Sequence, residues 1–176
     1  MDQAVVNAPE LDRPGLQWFN VDQPLSLASL RGKLVILDFW TFCCINCQHV
    51  IPSLRQVEEA FPESLVVIGV HSPKFDAEKD PANVAQAIAR YGVAHPVIHD
   101  PEMELWRQYA VRAWPTLAFV SPEGKVLGQF SGEPDPAKLR ALVGKLLGEA
   151  EQAGTLAPAP LALKAAAPAG GRFRFP

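Results

Sequence analysis

The sequence predicts an α/β domain with a central mixed β-sheet flanked by helices, on three observations. Two apolar runs, Leu34 to Trp40 and Leu65 to Val70, have the nearly unbroken hydrophobicity of strands buried on both faces. Between them Val50, Leu54 and Val57 recur at helical spacing over Cys44 to Ala60, so strand, helix and strand imply a right-handed parallel crossover. Further on, Thr116 to Ser121 and Lys125 to Phe130 flank Pro122-Glu123-Gly124, a hairpin signal that adds antiparallel strands to the same sheet.

Each element has its own local signature. Leu11 to Leu30 is an approach segment, with Gly15 to Phe19 and the Leu25-Ser26-Leu27 pair as short edge strands, closed by the turn Arg31-Gly32-Lys33. The run Leu34 to Trp40 follows, interrupted only by Asp38, and leads into the helix that begins near Cys44. Phe61-Pro62-Glu63 ends that helix, and Ser64 to His71 forms the second core strand. A polar loop over Ser72 to Asp80 precedes a helix over Pro81 to Tyr91, with Gly92 as its C-terminal cap. A short strand at Val97-Ile98 and a helix near Glu102 to Tyr109 complete what reads as an insertion after the second core strand. The last helix is expected over Asp135 to Glu149. Residues 1–151 thus make one domain, 152–171 an Ala/Pro-rich linker, and 172–176, where hydrophobic alternation resumes in Arg172-Phe173-Arg174-Phe175-Pro176, the start of a further domain that has been cut away.

The composition narrows the function classes. A chain of 176 residues with 48% hydrophobic content can bury a complete core. A formal net charge of -3, without a Lys/Arg stripe interleaved with aromatics, gives no footprint for nucleic acid. No apolar stretch is long enough to span a bilayer, and Met1 to Pro14 has early acids and prolines rather than the layout of a signal peptide. A cytoplasmic location is the expectation. Three cysteines within five positions cannot staple distant parts of a fold, and a Cys-x-x-Cys beside a strand–helix–strand unit favours redox chemistry.

That chemistry centres on Asp38-Phe39-Trp40-Thr41-Phe42-Cys43-Cys44-Ile45-Asn46-Cys47. Cys44 opens a helix, where unpaired N–H groups and the macrodipole favour an anion, so it is the expected nucleophile. Cys47 lies one turn on and faces the same side, which makes it the resolving thiol that closes the intramolecular disulfide. Cys43 is either a spectator or a regulatory thiol that traps an oxidised form of its neighbour. Crowding Cys43, Cys44, Cys47 and His49 on one helix turn does not converge on a tetrahedral metal site, so neither metal nor cofactor is expected. His49 reads as a solvated helix residue. His71, at the carboxyl end of a central strand where α/β folds gather their sites, is a candidate for lining the site.

These residues resemble the thioredoxin-like superfamily, and more narrowly its redoxin branch of TlpA/ResA-like proteins. Three separated features carry the resemblance over roughly residues 9–149: Asp38-Phe39-Trp40 ahead of the Cys pair, Pro52 five residues after Cys47, and Trp114-Pro115-Thr116 ahead of the final hairpin. The strings Asp38 to His49 and Gly69 to Phe75 look most like the thioredoxin-like domain of NHL-repeat-containing proteins. The resemblance implies a thioredoxin-like fold with a redoxin-type insertion and a downstream NHL-type β-propeller. It also implies a cis-proline at Pro115 facing the redox pair and a substrate groove drawing on Trp114, Pro115, Thr116 and Trp40. Asp38 is implied as the buried acid that accepts the Cys47 proton, a role suited to a carboxyl raised by desolvation. Partners are then protein or small-molecule thiols and disulfides, with a reductase as electron donor.

The function expected is thiol–disulfide oxidoreduction through Cys44 and Cys47, with the direction of electron flow open because Ile45-Asn46 replaces the Gly-Pro of ordinary thioredoxins. Two alternatives stand beside it. Thr41, three residues before Cys44, has the spacing of a peroxiredoxin Thr-x-x-Cys loop, although Leu37 stands where its proline belongs. A non-catalytic protein-binding module attached to a propeller is the other.

Overall fold

The computed structural model describes residues 6–161. Six strands form one sheet: β1 (Gln17–Phe19), β2 (Leu34–Trp40), β3 (Leu65–His71), β4 (Val97–His99), β5 (Thr116–Val120) and β6 (Val126–Ser131). Their spatial order is β1-β4-β3-β2-β5-β6, with β2, β3 and β4 parallel and the other pairings antiparallel. Helices α1 (Ile45–Ala60), α2 (Pro81–Tyr91), α3 (Glu104–Gln108) and α4 (Pro136–Gln152) flank it. The sheet is therefore mixed, as expected, with β2 and β3 in its middle and β4 within the insertion that follows β3.

Alternation along β2 explains how one apolar run serves two layers. Leu34, Ile36 and Trp40 point to the face covered by α1, α2 and α4, while Val35, Leu37 and Phe39 point to the face covered by α3 and the N-terminal segment. Val50, Leu54 and Val57 of α1 close on Leu34, Ile36, Leu65 and Val67. On the opposite face Leu11, Leu27, Leu30 and Trp106 cover Val66, Ile68 and Val70. Burying a side chain of this size contributes about 1.5–3 kcal/mol, so these two layers dominate the stability of the sheet.

The local signals act at the helix ends. Asp80 and Asp135 accept from Ala82 N (2.8 Å) and Lys138 N (2.9 Å), each just ahead of a proline in the first turn. Gly92 caps α2 in the left-handed region at φ 62°. Leu25–Leu27, expected as an edge strand, is not one: Leu25 and Ser26 are irregular and lead into a turn over 27–30. Ser26 and Ser29 exchange side-chain-to-backbone bonds (3.0 and 3.2 Å), and the Glu10 carboxylate takes the N–H groups of Leu27 and Ala28, which leaves no free edge to pair.

The first part of the Ala/Pro-rich stretch lies against the domain. Ala157 N donates to Gly32 O (2.8 Å), Ala159 N to Glu63 O (3.1 Å), and the nearly buried Lys33 ammonium donates to the carbonyls of Glu63 and Ala159. Burial holds the Lys33 pKa below its ordinary value, with Glu63 opposing. The remainder of that stretch, and the residues read as the start of a further domain, lie outside the described residues.

Candidate active site

The redox pair sits where β2 ends and α1 begins, at the carboxyl end of the central strands. Cys44 is the N-cap of α1: its backbone is extended (φ −103°, ψ 110°), and its sulfur accepts from Cys47 N at 3.2 Å. The two cysteines are joined as a disulfide, with Cα atoms 5.2 Å apart. Cys44 is half-buried and Cys47 fully buried against Trp40 and Ile51, so an incoming reagent reaches Cys44 first. The helix has no acidic residue in its first turn to oppose negative charge on that sulfur.

The turn Thr41-Phe42-Cys43 ahead of Cys44 is held by several hydrogen bonds. Phe42 N donates to His71 Nε2 (3.3 Å), and Phe42 O accepts from Gln48 Nε2 (3.1 Å) and the Tyr91 hydroxyl (3.3 Å). Glu78, from a single 3₁₀ turn over Asp76–Lys79 in the insertion, is fully buried beside it. One carboxylate oxygen accepts the Thr41 hydroxyl and Cys43 N (3.2 Å), and the other accepts Lys74 N (3.1 Å) and Phe75 N (2.9 Å). Four donors on one carboxylate satisfy its lone pairs without a cation. Cys43 itself points outward as the one free thiol among the described residues; partial burial raises its pKa, and the Glu78 charge and hydrogen bond add to that.

Behind the disulfide, Asp38 lies on the α1 face of β2, only 1% exposed. Burial pushes its pKa from 3.8 up to about 7, with His95 opposing and Glu58 adding to the rise. Its Oδ1 has no hydrogen-bond partner among the described residues.

The other expected site residues fall into two groups. Trp114 is half-buried, donates Nε1–H to Ser72 O (2.9 Å) and packs against the same cluster as Cys44. The Trp114–Pro115 peptide bond is cis, and the Thr116 hydroxyl donates to Ala113 O and pairs with Ser131, both at 2.8 Å. Trp40 and His71 are instead interior. Trp40, expected either in the core or at a groove wall, is 1% exposed and belongs to the core, because strand alternation turns it onto Cys47 and Val97. His71, expected to line the site, is fully buried beneath Phe42, ring stacked at 5.4 Å between centroids, and burial lowers its pKa to about 3, with His99 adding to the effect. It supports the turn as a neutral ring.

Glu78, His95 and Glu58 carry no site role in the sequence analysis. Glu78 is one of several charges in a polar loop and has no distinguishing local signal. For His95 a signal exists: Gly69 in the interior of an apolar strand marks a close approach by another group.

This chain matches the AhpC/TSA family over residues 6–128. It belongs to that family. Among its relatives, Protein SUPPRESSOR OF QUENCHING 1, chloroplastic, of Arabidopsis thaliana is 46% identical over 132 residues, covering 74% of this chain and 12% of that protein. NHL repeat-containing protein 2 of Gallus gallus is 44% identical over 137 residues, covering 76% and 19%. Thiol-disulfide oxidoreductase ResA of Bacillus thuringiensis is 28% identical over 122 residues, covering 69% and 68%. A crystal structure of a thioredoxin-like superfamily protein superposes with TM-score 0.73 at 30% identity, over 81% of this chain and 96% of that one. The thioredoxin-like fold of this AhpC/TSA member follows from the sheet order and that superposition together. The chain spans less than a fifth of the length of the first two relatives.

Proposed function

We propose that this domain is a thiol–disulfide oxidoreductase in which Cys44 attacks and Cys47 resolves. The observation that carries the proposal is the Cys44 sulfur at the N-cap of a sixteen-residue helix, accepting an N–H and joined to a buried partner one turn away. In the reductive direction the Cys44 thiolate attacks a substrate disulfide and expels one thiolate. Cys47 then gives its proton to the Asp38 carboxylate, attacks the Cys44 sulfur and expels the second. The substrate disulfide gains two electrons and the Cys44–Cys47 pair loses them.

Trp114, Pro115 and Thr116 form the substrate groove in this proposal, supported by the packing of Trp114 on the cluster that holds Cys44 and Cys47. Substrates are protein or small-molecule disulfides, with a reductase supplying electrons and an NHL-type propeller as the attached domain, a reading supported by the NHL repeats in the name of the chicken relative. A cytoplasmic setting belongs to the same proposal and rests on the clustering of all three cysteines within five positions. Peroxide reduction is disfavoured by the direction of the Thr41 hydroxyl, which is buried and donates to Glu78 rather than towards the Cys44 sulfur.

The test is to equilibrate the domain with graded thiol/disulfide buffers, alkylate free thiols and locate them by mass spectrometry. A reversible Cys44–Cys47 bridge is expected, and Cys47→Ser should accumulate mixed disulfides through Cys44. A midpoint near roughly −270 mV would make the domain a reductant and one near roughly −120 mV an oxidant. Absence of any reversible bridge would sink the proposal.

A further inference from the structure

Asp38, Gly69 and Val97 lie side by side across β2, β3 and β4. Gly69 leaves open the space beside the Asp38 carboxyl: a Cβ there would stand 3.0 Å from Trp40 Nε1, 3.3 Å from Val97 Cγ2 and 3.5 Å from His95 Nε2. The imidazole of His95 therefore occupies the position that a side chain on the central strand would take. It arrives there from the turn before β4, which is tied down twice. The Asn20 amide donates to Val93 O and His95 O, both at 2.9 Å, and Gly69 N donates to Pro96 O at 2.8 Å. The other ring nitrogen, Nδ1, faces Glu58 Oε2 of α1 at 3.3 Å. Side-chain exposure rises from 4% at His95 to 27% at Glu58, so the carboxylate of Glu58 reaches water.

We propose that His95 and Glu58 form the exit path for the proton that Asp38 takes from Cys47, linking the carboxyl buried behind the disulfide to solvent. The inference rests on the oxidoreductase function proposed above. The proton on Asp38 can return to Cys47 when the disulfide is next reduced, but to exchange with solvent while the disulfide is closed it needs a path, since Asp38 and His95 are only 1% and 3% exposed. No hydrogen bond joins Asp38 to His95 among the described residues, so a turn of the carboxyl or a bridging water completes the first hop; His95 then accepts on Nε2 and releases from Nδ1, the ring changes tautomer, and Glu58 passes the proton to solvent. The proton leaving Cys47 thus appears in bulk water, while both electrons stay with the substrate thiols.

The ionisable groups around this carboxyl are few. His95 and Glu58 act on Asp38 with opposite signs. Cys47 packs against Trp40, two residues further along the same face of β2, and His71 and His99 follow beyond it, 5.0 Å from Trp40 and 5.6 Å from each other between ring centroids. His95 and Glu58 are positioning residues that act through Asp38.

The infrared carboxyl band of Asp38, assigned with Asp38→Asn, is followed against pH in the oxidised domain of wild type, Glu58→Gln and His95→Gln. In parallel, stopped-flow kinetics give the rate at which the reduced domain resolves a mixed disulfide with a small aromatic disulfide. Glu58→Gln is expected to lower the pH at which the Asp38 band titrates and His95→Gln to raise it. Both should slow resolution at neutral pH by about tenfold, a fraction of the usual worth of positioned acid–base catalysis, with added imidazole buffer restoring the rate of His95→Gln. Titrations that stay in place or move in the same direction, or resolution at the wild-type rate, would overturn the proposal. Glu58→Gln alters a surface-reaching side chain and keeps the test decisive should His95→Gln fail to fold. If the wild type itself closes no Cys44–Cys47 bridge, the oxidoreductase function falls, while the Asp38 band, which needs no turnover, still decides whether the three groups are coupled.

Discussion

Replacing Asp38 by Asn should make the oxidised domain more stable at neutral and alkaline pH, with an advantage that depends on pH. In the unfolded chain Asp38 titrates near its ordinary 3.8, whereas burial lifts the folded value to about 7. Between those values the folded state holds a proton that the unfolded state has lost, so the stabilising contribution is complete below pH 4 and is lost as pH rises through 7. About three pH units at about 1.36 kcal/mol each correspond to roughly 4 kcal/mol, an upper figure because water penetration on opening softens the burial cost. Asn carries no such proton and loses nothing over this range. The assay is urea unfolding of oxidised wild type and Asp38→Asn at pH 5, 6, 7 and 8, plotting the difference in unfolding free energy so that other titrations cancel. Across pH 5 to 8 the difference should move by about 2–3 kcal/mol in favour of Asn, the rest of the change lying below pH 5, and level off above pH 7. A difference independent of pH would mean that Asp38 is not held protonated by its surroundings, and its part in accepting a proton would go with it.

Two further perturbations probe the surroundings of the disulfide and Asp38, and a third the docked segment at the far end of the sheet. Glu78→Gln sets an amide against the Cys43 N–H and removes the charge that holds the Cys43 thiol up; a loss of about 1–3 kcal/mol is expected, with faster alkylation of Cys43 in the oxidised domain at pH 8, read by mass spectrometry. Gly69→Ala drives a methyl to 3.0 Å from Trp40 Nε1 and 3.3 Å from Val97, so urea unfolding should report a loss of about 1–3 kcal/mol. Gly32→Ala forces a Cβ to 2.6 Å from Ala157 Cβ at φ +90°; limited proteolysis should then cut within residues 155–161 faster than in the wild type, and an unchanged cleavage rate would mean that this contact does not hold the segment.

What was legible in the sequence is what depends on local pattern. The β2–α1–β3 crossover, α2 with its Gly92 cap, the β5–β6 hairpin and the placement of Cys44 at a helix start all follow from periodicity and capping residues close in sequence. Leu25–Leu27 was misread because an apolar pair flanked by serines satisfies strand and turn patterns alike, and the distant Glu10 carboxylate decides between them. For Trp40 the sequence leaves core and groove wall open, with the groove implied by the resemblance, and strand alternation decides for the core. Glu78 meets Thr41, and His95 meets Glu58, each across 37 residues of chain. No window of local sequence contains such pairs, and only Gly69, small inside a core strand, hinted that something was coming close.

The docking of residues 155–161 on Gly32, Lys33 and Glu63 gives the domain two poles. Those anchor points stand at the amino ends of β2 and β3, while the disulfide stands at the carboxyl end of β2. A seven-residue strand at about 3.3 Å per residue sets the poles roughly 20 Å apart. Residues 155–161 therefore grip the handle of the tool, not its working tip. The sulfur at the tip is thereby kept clear of residues 155–161 by the length of the central strand.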